Sequence, residues 1–198
     1  MAAAPATAAT DAATAAAANA AVMARTSDTD TSDDVADGHD LLQHYLYHKY
    51  LKLLDRALAE RRVLGCGRSP LVGSLYHFWV ARLQHKFNRN MYQTFKELAV
   101  EDKVVSGSRE GVECLYRFLR GSLSTTYRER VFRDFVYLVG TEVHEDSFGL
   151  EQLWLFLRER SDDVRRRSQQ TVERRIMSRQ DLAASLRELD RFHALSLE

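Results

Sequence analysis

The chain has 198 residues, 28 Lys and Arg against 28 Asp and Glu, and 45% hydrophobic residues. This length predicts one ordinary hydrophobic core with tails, and the zero formal net charge provides no general attraction to nucleic acid or membrane. Two Pro and nine Gly are few for a turn-rich β-sandwich, and two Cys are too few for a disulfide framework. No apolar run approaches the roughly 18 residues of a membrane-spanning helix, so we predict no contact with a membrane.

The first 38 residues are predicted to be a disordered tail. Residues 1–24 contain 15 Ala, and a stretch rich in Thr and Asp follows them. This composition buries too little apolar surface to offset the entropy of the chain. The segment lacks the basic start and apolar centre of a secretory signal, and it lacks the several Arg of a transit peptide.

From His39 onward, aromatic and aliphatic residues recur at helical spacing, and the pattern repeats after 40 residues. Leu, Tyr and Phe in the segment 75–78 return at matching positions of 115–118, and a third copy begins at Gly149. Each copy has two apolar stretches, which predict two antiparallel helices per repeat. The fold prediction is therefore all-α, a HEAT-like solenoid of about three stacked antiparallel helical hairpins. The hydroxyls of 122–126 are predicted to cap the second helix of the middle hairpin.

The repeat domain is predicted to cover residues 39–163, followed by charged C-terminal helices over 164–198. An apolar stripe of Leu182, Leu186 and Leu189 has the spacing of one helix face. We therefore expect this segment to close the last hairpin.

The chain carries no recognisable catalytic motif, and we predict that it is not an enzyme and has no cofactor. It has no Gly-rich phosphate loop, no paired Cys motif and no nucleophile elbow. His44 and His48 have the spacing of two metal ligands on one helix face, but no third ligand is identifiable. A surface or packing role is therefore the better interpretation of this pair.

Between residues 43 and 160, several motifs follow one another in a fixed order. They are Tyr47-His48-Lys49-Tyr50, Leu75-Tyr76-His77-Phe78-Trp79, Phe87-Asn88-Arg89-Asn90-Met91-Tyr92, Gly111-Val112-Glu113-Cys114-Leu115-Tyr116-Arg117-Phe118 and Gly149-Leu150-Glu151-Gln152-Leu153-Trp154. In this order they resemble the C-terminal DM-fifteen repeat region of the La-related protein 1 family. The resemblance implies an RNA-binding groove for the 5′ cap of messenger RNA and the adjacent pyrimidines, acting in cytoplasmic translational control.

The resemblance also implies a cage for the cap, in which two Tyr rings sandwich the methylated guanine and a Glu accepts hydrogen bonds from its edge. In this chain the ring positions fall on Gly121 and Glu159, the Glu position on Ser124, and a neighbouring Phe position on Ala81. Two lost rings and one lost carboxylate together remove about 4–9 kcal/mol of binding free energy. Cap recognition in the family's manner is therefore not expected here.

Basic side chains still mark a candidate RNA site. They stand at or beside the family's arginine and ring positions, and they are His77, Arg82, Arg117, Arg120 and Arg158. We interpret the chain as an RNA-binding module with an altered site. The alternative is a protein-interaction scaffold, because residues 70–160 hold 13 Lys and Arg against 12 Asp and Glu and thus no strong basic footprint. The expected partners are the 5′ region of messenger RNA or, in the alternative, proteins on the solenoid surface.

Overall fold

The computed structural model describes residues 34–142 and 147–195, and all regular secondary structure in these two stretches is helical. The helices of the described residues are α1 (Asp34–Leu64), α2 (Pro70–His85), α3 (Arg89–Ser106), α4 (Glu110–Thr125), α5 (Glu129–Glu142), α6 (Ser147–Glu159), α7 (Asp162–Met177) and α8 (Gln180–Leu195).

The helix bounds reproduce the period of the sequence. Helices α2 and α4 both have 16 residues, and they begin at Pro70 and Glu110. Helices α3 and α5 begin at Arg89 and Glu129, which are again 40 positions apart. The prediction of an all-α helical-repeat fold is therefore confirmed.

The first helix begins earlier than the sequence boundary predicted. Helix α1 starts at Asp34, inside the segment assigned to the tail. Residues 1–33 lie outside the described residues, so disorder of the tail stays a prediction for them.

The chain divides into two compact units. Unit 1 contains the described residues up to Trp79 together with Asn88–Ser108. Unit 2 contains Val80–Phe87 and the described residues from Arg109 onward.

Aromatic side chains form the core of unit 1. The indole N–H of Trp79 in α2 donates a hydrogen bond to the hydroxyl of Tyr50 in α1, at 3.1 Å. The rings of Tyr76 and Trp79 lie 5.7 and 5.4 Å from the ring of Phe95 in α3. All four side chains are buried. Burial of such large rings, with the polar tips hydrogen-bonded, holds the three helices together.

A buried ion pair joins the same three helices. Arg61, in the last turn of α1, donates from Nε and NH2 to Asp102 Oδ1 of α3 at 2.9 and 2.6 Å. Tyr76 of α2 donates its hydroxyl to Asp102 Oδ2 at 2.6 Å, and Glu101 accepts a second contact from Arg61 at 3.0 Å. Asp102 is only 2% exposed, so both of its oxygens are satisfied inside the protein.

Gly67, in the loop between α1 and α2, allows a close approach of this loop to the end of α3. Its φ is +68°, and a Cβ atom built there would lie 2.6 Å from Ser108 Cβ and contact Ser106 Oγ. We expect Gly67→Ala to lower the free energy of unfolding by about 2–4 kcal/mol, because left-handed strain and overpacking add together.

The matched control is Gly107→Ala. Gly107 has a similar φ of +73° but no neighbouring atom within 4 Å of an added Cβ. We expect this variant to lose about 1–2 kcal/mol from strain alone. Equal losses in urea denaturation of the two variants would contradict the role of the close approach at Gly67.

Unit 2 is built around α4. This helix packs against α5 and α6, and α5 also contacts α6, α7 and α8. The inward face of α4 consists of buried apolar residues, which are Val112, Leu115, Phe118, Leu119 and Leu123. Helix α7 begins at Asp162, and α8 packs on α5, α6 and α7 through a face that buries Leu182 and Leu186.

The prediction that hydroxyls in 122–126 cap α5 is wrong. Helix α4 continues through Thr125, and α5 begins only at Glu129. Ser124 Oγ donates to the carbonyl of Arg120 at 2.9 Å, and Thr125 Oγ1 donates to the carbonyl of Gly121 at 3.1 Å. These short side chains bond to the preceding turn of their own helix instead of starting the next one.

Candidate nucleic-acid interface

The predicted RNA contacts fall in both units. His77 is an exposed residue of α2 in unit 1. The four arginines lie in unit 2, with Arg82 half-buried in the last turn of α2, Arg117 and Arg120 on α4, and Arg158 on α6. The structure therefore groups the arginines in unit 2, and α4 and α6, which carry three of them, pack directly against each other.

Arg120 forms an ion pair that joins α4 to α6. Its Nε and NH2 atoms both lie 3.0 Å from Glu159 Oε2. Its NH1 donates to Oε1 of the buried Gln152 at 3.1 Å. All three nitrogen atoms of the Arg120 guanidinium therefore contact residues of α6. The carboxylate of Glu159 neutralises Arg120 at the position where the resemblance implies a cage ring.

Arg158 is held by an aromatic ring and a carboxylate. Its guanidinium carbon lies 4.8 Å from the centre of the Trp154 ring, one turn earlier on α6, and its NH1 lies 3.7 Å from Asp190 Oδ1 on α8. The Trp154 indole N–H donates to the same Asp190 oxygen at 2.7 Å. His193 stacks on this indole with ring centroids 4.2 Å apart. Helix α8 therefore contributes both a negative charge and a stacking ring to the surroundings of Arg158.

Arg117 is loosely attached to its own helix, α4. Its side chain is 54% exposed, its NH2 lies 3.7 Å from Glu113 Oε2, and its guanidinium lies 5.2 Å from the centre of the Phe148 ring. An exposed pair one helical turn apart contributes only about 0.3–0.5 kcal/mol. Another anion can therefore replace Glu113 at little cost.

The altered cage positions offer no aromatic ring. Gly121 has no side chain, and a Cβ atom there would lie 3.1 Å from Gln84 Nε2. Ser124 uses its hydroxyl within α4, and Ala81 is exposed on α2. Glu159 is engaged by Arg120.

A protein-family model described as the LARP1 HEAT repeat region matches residues 37–182. This range is most of the chain, from α1 through α7 to the start of α8. The chain belongs to the LARP1 HEAT repeat family. The resemblance inferred from the motifs is confirmed, and the matched range contains every predicted RNA contact and every altered cage position.

In this LARP1 repeat chain, the three arginines of α4 and α6 each have a carboxylate partner. The partners are Glu113, Glu159 and Asp190. Compensated arginines present less positive potential to an approaching polyanion than their number indicates. The contribution of each one to binding therefore depends on how readily its carboxylate is displaced.

Arg128, in the turn between α4 and α5, was not among the predicted RNA contacts. Its NH1 donates to Ser122 Oγ and to the carbonyl of Thr126, both at 3.4 Å, and its guanidinium lies 4.5 Å from the centre of the Phe87 ring. The groups that contact the Arg128 guanidinium, among the described residues, carry no charge. The 40-residue period aligns Arg128 with Asn88, an uncharged residue that caps α3. The change from an uncharged residue to an arginine at equivalent positions was the signal in the sequence.

The described residues contain no cluster of three or more His, Cys, Asp or Glu that could hold a metal ion. His44 and His48 of α1 are exposed, and their Nε2 atoms lie 3.3 Å apart. Burial raises the pKa of the Cys114 thiol, which keeps it protonated at neutral pH. Over the same parts of the chain, no helix has the length and apolar character needed to cross a membrane.

Proposed function

We propose that this LARP1 repeat is an RNA-binding module that binds messenger RNA near its 5′ end without recognising the cap. The observation that carries the proposal is the Arg120–Glu159 ion pair, with both contacts at 3.0 Å. It leaves a charged carboxylate where a cap cage needs a ring, on a surface that still carries arginines. The proposal includes a role in cytoplasmic translational control and no catalytic step.

Loss of the cage argues against cap binding on energetic grounds. Stacking on an aromatic side chain contributes roughly 1–3 kcal/mol per base. A methylated guanine is cationic and gains further from electron-rich rings. Gly121 and Ser124 supply neither a ring nor a carboxylate, and the Glu159 carboxylate is already occupied by Arg120.

RNA binding in this proposal depends on arginines whose carboxylate partners are easily displaced. RNA presents closely spaced phosphates, and release of counterions favours their contact with Arg and Lys. The contacts of Arg117 with Glu113 and of Arg158 with Asp190 are both 3.7 Å, and all but one of these four side chains are more than half exposed. Phosphate oxygens can take the place of both carboxylates, and they accept paired hydrogen bonds from a guanidinium.

Charge reversal at Arg117 tests this proposal. We expect Arg117→Glu to weaken binding of an uncapped single-stranded RNA about 10-fold at low salt, because one phosphate contact becomes a repulsion. The slope of log affinity against log salt should fall by about 0.7. Fluorescence anisotropy at several salt concentrations measures both quantities.

The control for this experiment is Arg133→Glu, which makes the same charge change at an exposed position of α5. We expect it to change affinity less than Arg117→Glu does. Equal losses in the two variants would mean that net charge, and not the α4 surface, determines binding.

A protein-interaction scaffold is the second candidate function. The observation that favours it is the pairing of Arg120 with Glu159 and of Arg158 with Asp190, which leaves a surface of mixed charge. Surfaces of helical repeats commonly bind proteins. Capture of the same protein partners before and after nuclease treatment would support this candidate, whereas loss of the partners after treatment would favour RNA.

A further inference from the structure

The outward face of α5 carries two arginines and a tyrosine in one row. Arg130, Arg133 and Tyr137 follow one another at spacings of three and four residues, so they lie on the same side of the helix. All three residues are exposed, and Tyr137 is 59% exposed although its ring is large and apolar. At the rise of an α-helix the row is about 10 Å long. It lies within unit 2, opposite to the buried face of α5.

Arg179, in the short turn between α7 and α8, adds a third cation to this row. It is half-buried, and its guanidinium carbon lies 5.5 Å from the centre of the Tyr137 ring. Gly140, three residues after Tyr137, leaves space for this approach, because a Cβ atom there would lie 3.1 Å from Cδ and Cζ of Arg179. An ion pair between Arg175 and Glu129 attaches α7 to the start of α5. The packing of α7 on α5 therefore places Arg179 beside the row.

The three arginines of this surface have no carboxylate partner. Among the residues that the structure describes, Arg130, Arg133 and Arg179 form no ion pair and no side-chain hydrogen bond. Glu129, next to the row, is bound by an arginine of α7, and the half-buried Asp134 already has an interaction of its own. The surface thus presents positive charge that an external carboxylate can neutralise.

We propose that the α5 row, which consists of Arg130, Arg133, Tyr137 and Arg179, binds an acidic helical segment of a partner protein. An acidic helix presents carboxylates at the same spacings of three and four residues, so several of them can face the guanidinium groups at once. A guanidinium donates paired hydrogen bonds to a carboxylate. The exposed Tyr137 ring adds apolar contact beside the charges. This surface is separate from the predicted RNA contacts, and the proposal does not depend on RNA binding.

An acidic protein segment fits the α5 row better than RNA does. Single-stranded RNA gains much of its affinity from bases that stack on aromatic rings. A guanidinium already lies over the Tyr137 ring, so a base that stacks on this face must displace Arg179. The row also ends after about 10 Å, whereas proteins that bind single strands without sequence preference follow the backbone over several nucleotides. A few carboxylates on one helix match the number and spacing of these cations.

Anisotropy with two labelled peptides tests the surface on the full chain. One is a helical peptide of about 14 residues with Glu at every third or fourth position, and the other has Gln at those positions. At low salt we expect the Glu peptide to bind the wild type about 10-fold more tightly than the Gln peptide. Arg133→Gln and Arg179→Gln should each weaken binding of the Glu peptide about 3-fold, the effect of one exposed ion pair.

The control for these variants is Arg166→Gln, which removes the same charge at an exposed position of α7. We expect it to leave the affinity for the Glu peptide nearly unchanged. Equal losses in the three variants would overturn the proposal, since net charge alone would then explain binding. Equal binding of the Glu and Gln peptides to the wild type would overturn it as well.

Gly140→Ala tests the placement of Arg179 without changing any charge. The added methyl group displaces the Arg179 side chain from its position against α5, while Ala is a better helix former than Gly. We expect the variant to fold, as followed by circular dichroism, and to bind the Glu peptide about 2-fold more weakly than the wild type. An unchanged affinity would remove Arg179 from the binding surface.

Titration with an uncapped RNA separates the α5 row from the predicted RNA contacts. We expect Arg133→Gln and Arg179→Gln to bind this RNA nearly as well as the wild type does. If both variants lose RNA affinity while the Glu peptide does not bind, the row belongs to an RNA surface and the proposal of a protein partner is wrong. If the wild type binds no RNA and the peptide results hold, the proposed function falls and this inference stands.

Discussion

Replacing Asp102 by Ala is expected to lower the free energy of unfolding by about 3–5 kcal/mol, the range for breaking a buried ion pair. Asp102 accepts from Arg61 at 2.9 and 2.6 Å and from the Tyr76 hydroxyl at 2.6 Å. Its removal leaves a guanidinium that is 8% exposed without its nearest anion and a buried hydroxyl without an acceptor. Urea denaturation followed by circular dichroism measures the change.

The matched control is Glu101→Ala, on the neighbouring position of α3. Glu101 also contacts Arg61, at 3.0 Å, but is 26% exposed. We expect it to contribute only about 1 kcal/mol, because water can replace a partly exposed carboxylate. Tyr76→Phe should lose about 1–2 kcal/mol, since it removes one hydrogen bond and keeps the ring. If Asp102→Ala and Glu101→Ala were equally mild, the buried network would not be what joins α1, α2 and α3.

Restoring the cage residues is expected to restore cap preference. In the triple variant Gly121→Tyr, Ser124→Glu and Glu159→Tyr, we expect a capped RNA to bind about 100-fold more tightly than the same uncapped RNA. This corresponds to about 2.7 kcal/mol, which is less than two rings and a carboxylate supply when fully formed, because Ala81 and His77 still depart from the family pattern. Competition between capped and uncapped RNA measures the ratio.

Two of the substituted positions make contacts that the triple variant changes. A Cβ atom at Gly121 would lie 3.1 Å from Gln84 Nε2, the end of a flexible side chain, so Gln84 must shift by a few tenths of an ångström. Loss of Glu159 leaves Arg120 bonded to Gln152, and the lost ion pair is partly exposed and so contributes less than about 1 kcal/mol to stability.

Glu159→Gln is the control for the triple variant. It removes the negative charge without adding a ring, so we expect RNA affinity to rise a few-fold while the ratio of capped to uncapped binding stays near one. A triple variant that folds and still shows no cap preference would contradict the assignment of the cage to these positions.

The repeat and the family were accessible from sequence because both depend on many residues in register. The 40-residue period places Pro70 and Glu110 at equivalent helix starts, and the structure has α2 and α4 beginning there. A helical face is fixed by short spacings along the chain, which any single sequence contains. The family motifs are specific for the same reason, since they recur in order over most of the chain.

The ion pairs of the candidate site could not be predicted from the sequence. Arg120 and Glu159 are 39 positions apart, and no local pattern states that they form a pair. The same holds for Arg158 and Asp190, which meet because α8 packs on α6. Charge counts treat all of these groups as free, whereas the interactions depend on distances of a few ångströms.

The prediction that hydroxyls cap α5 shows a second limit. Ser and Thr favour caps, but the same side chains also bond to the preceding turn when a helix continues. The hydroxyls of Ser124 and Thr125 bond to the preceding turn. The choice between the two depends on where α4 ends, and α4 continues through Thr125.

The central claim, RNA binding without cap recognition, is tested most directly by titrating the full chain with three short RNAs at two salt concentrations. One RNA carries a cap followed by pyrimidines, the second has the same sequence without the cap, and the third is purine-rich and uncapped. We predict similar and salt-sensitive affinities for all three, because arginine contacts with phosphates do not read the cap. Tight binding that requires the cap would contradict the account, as would the absence of binding to any of them.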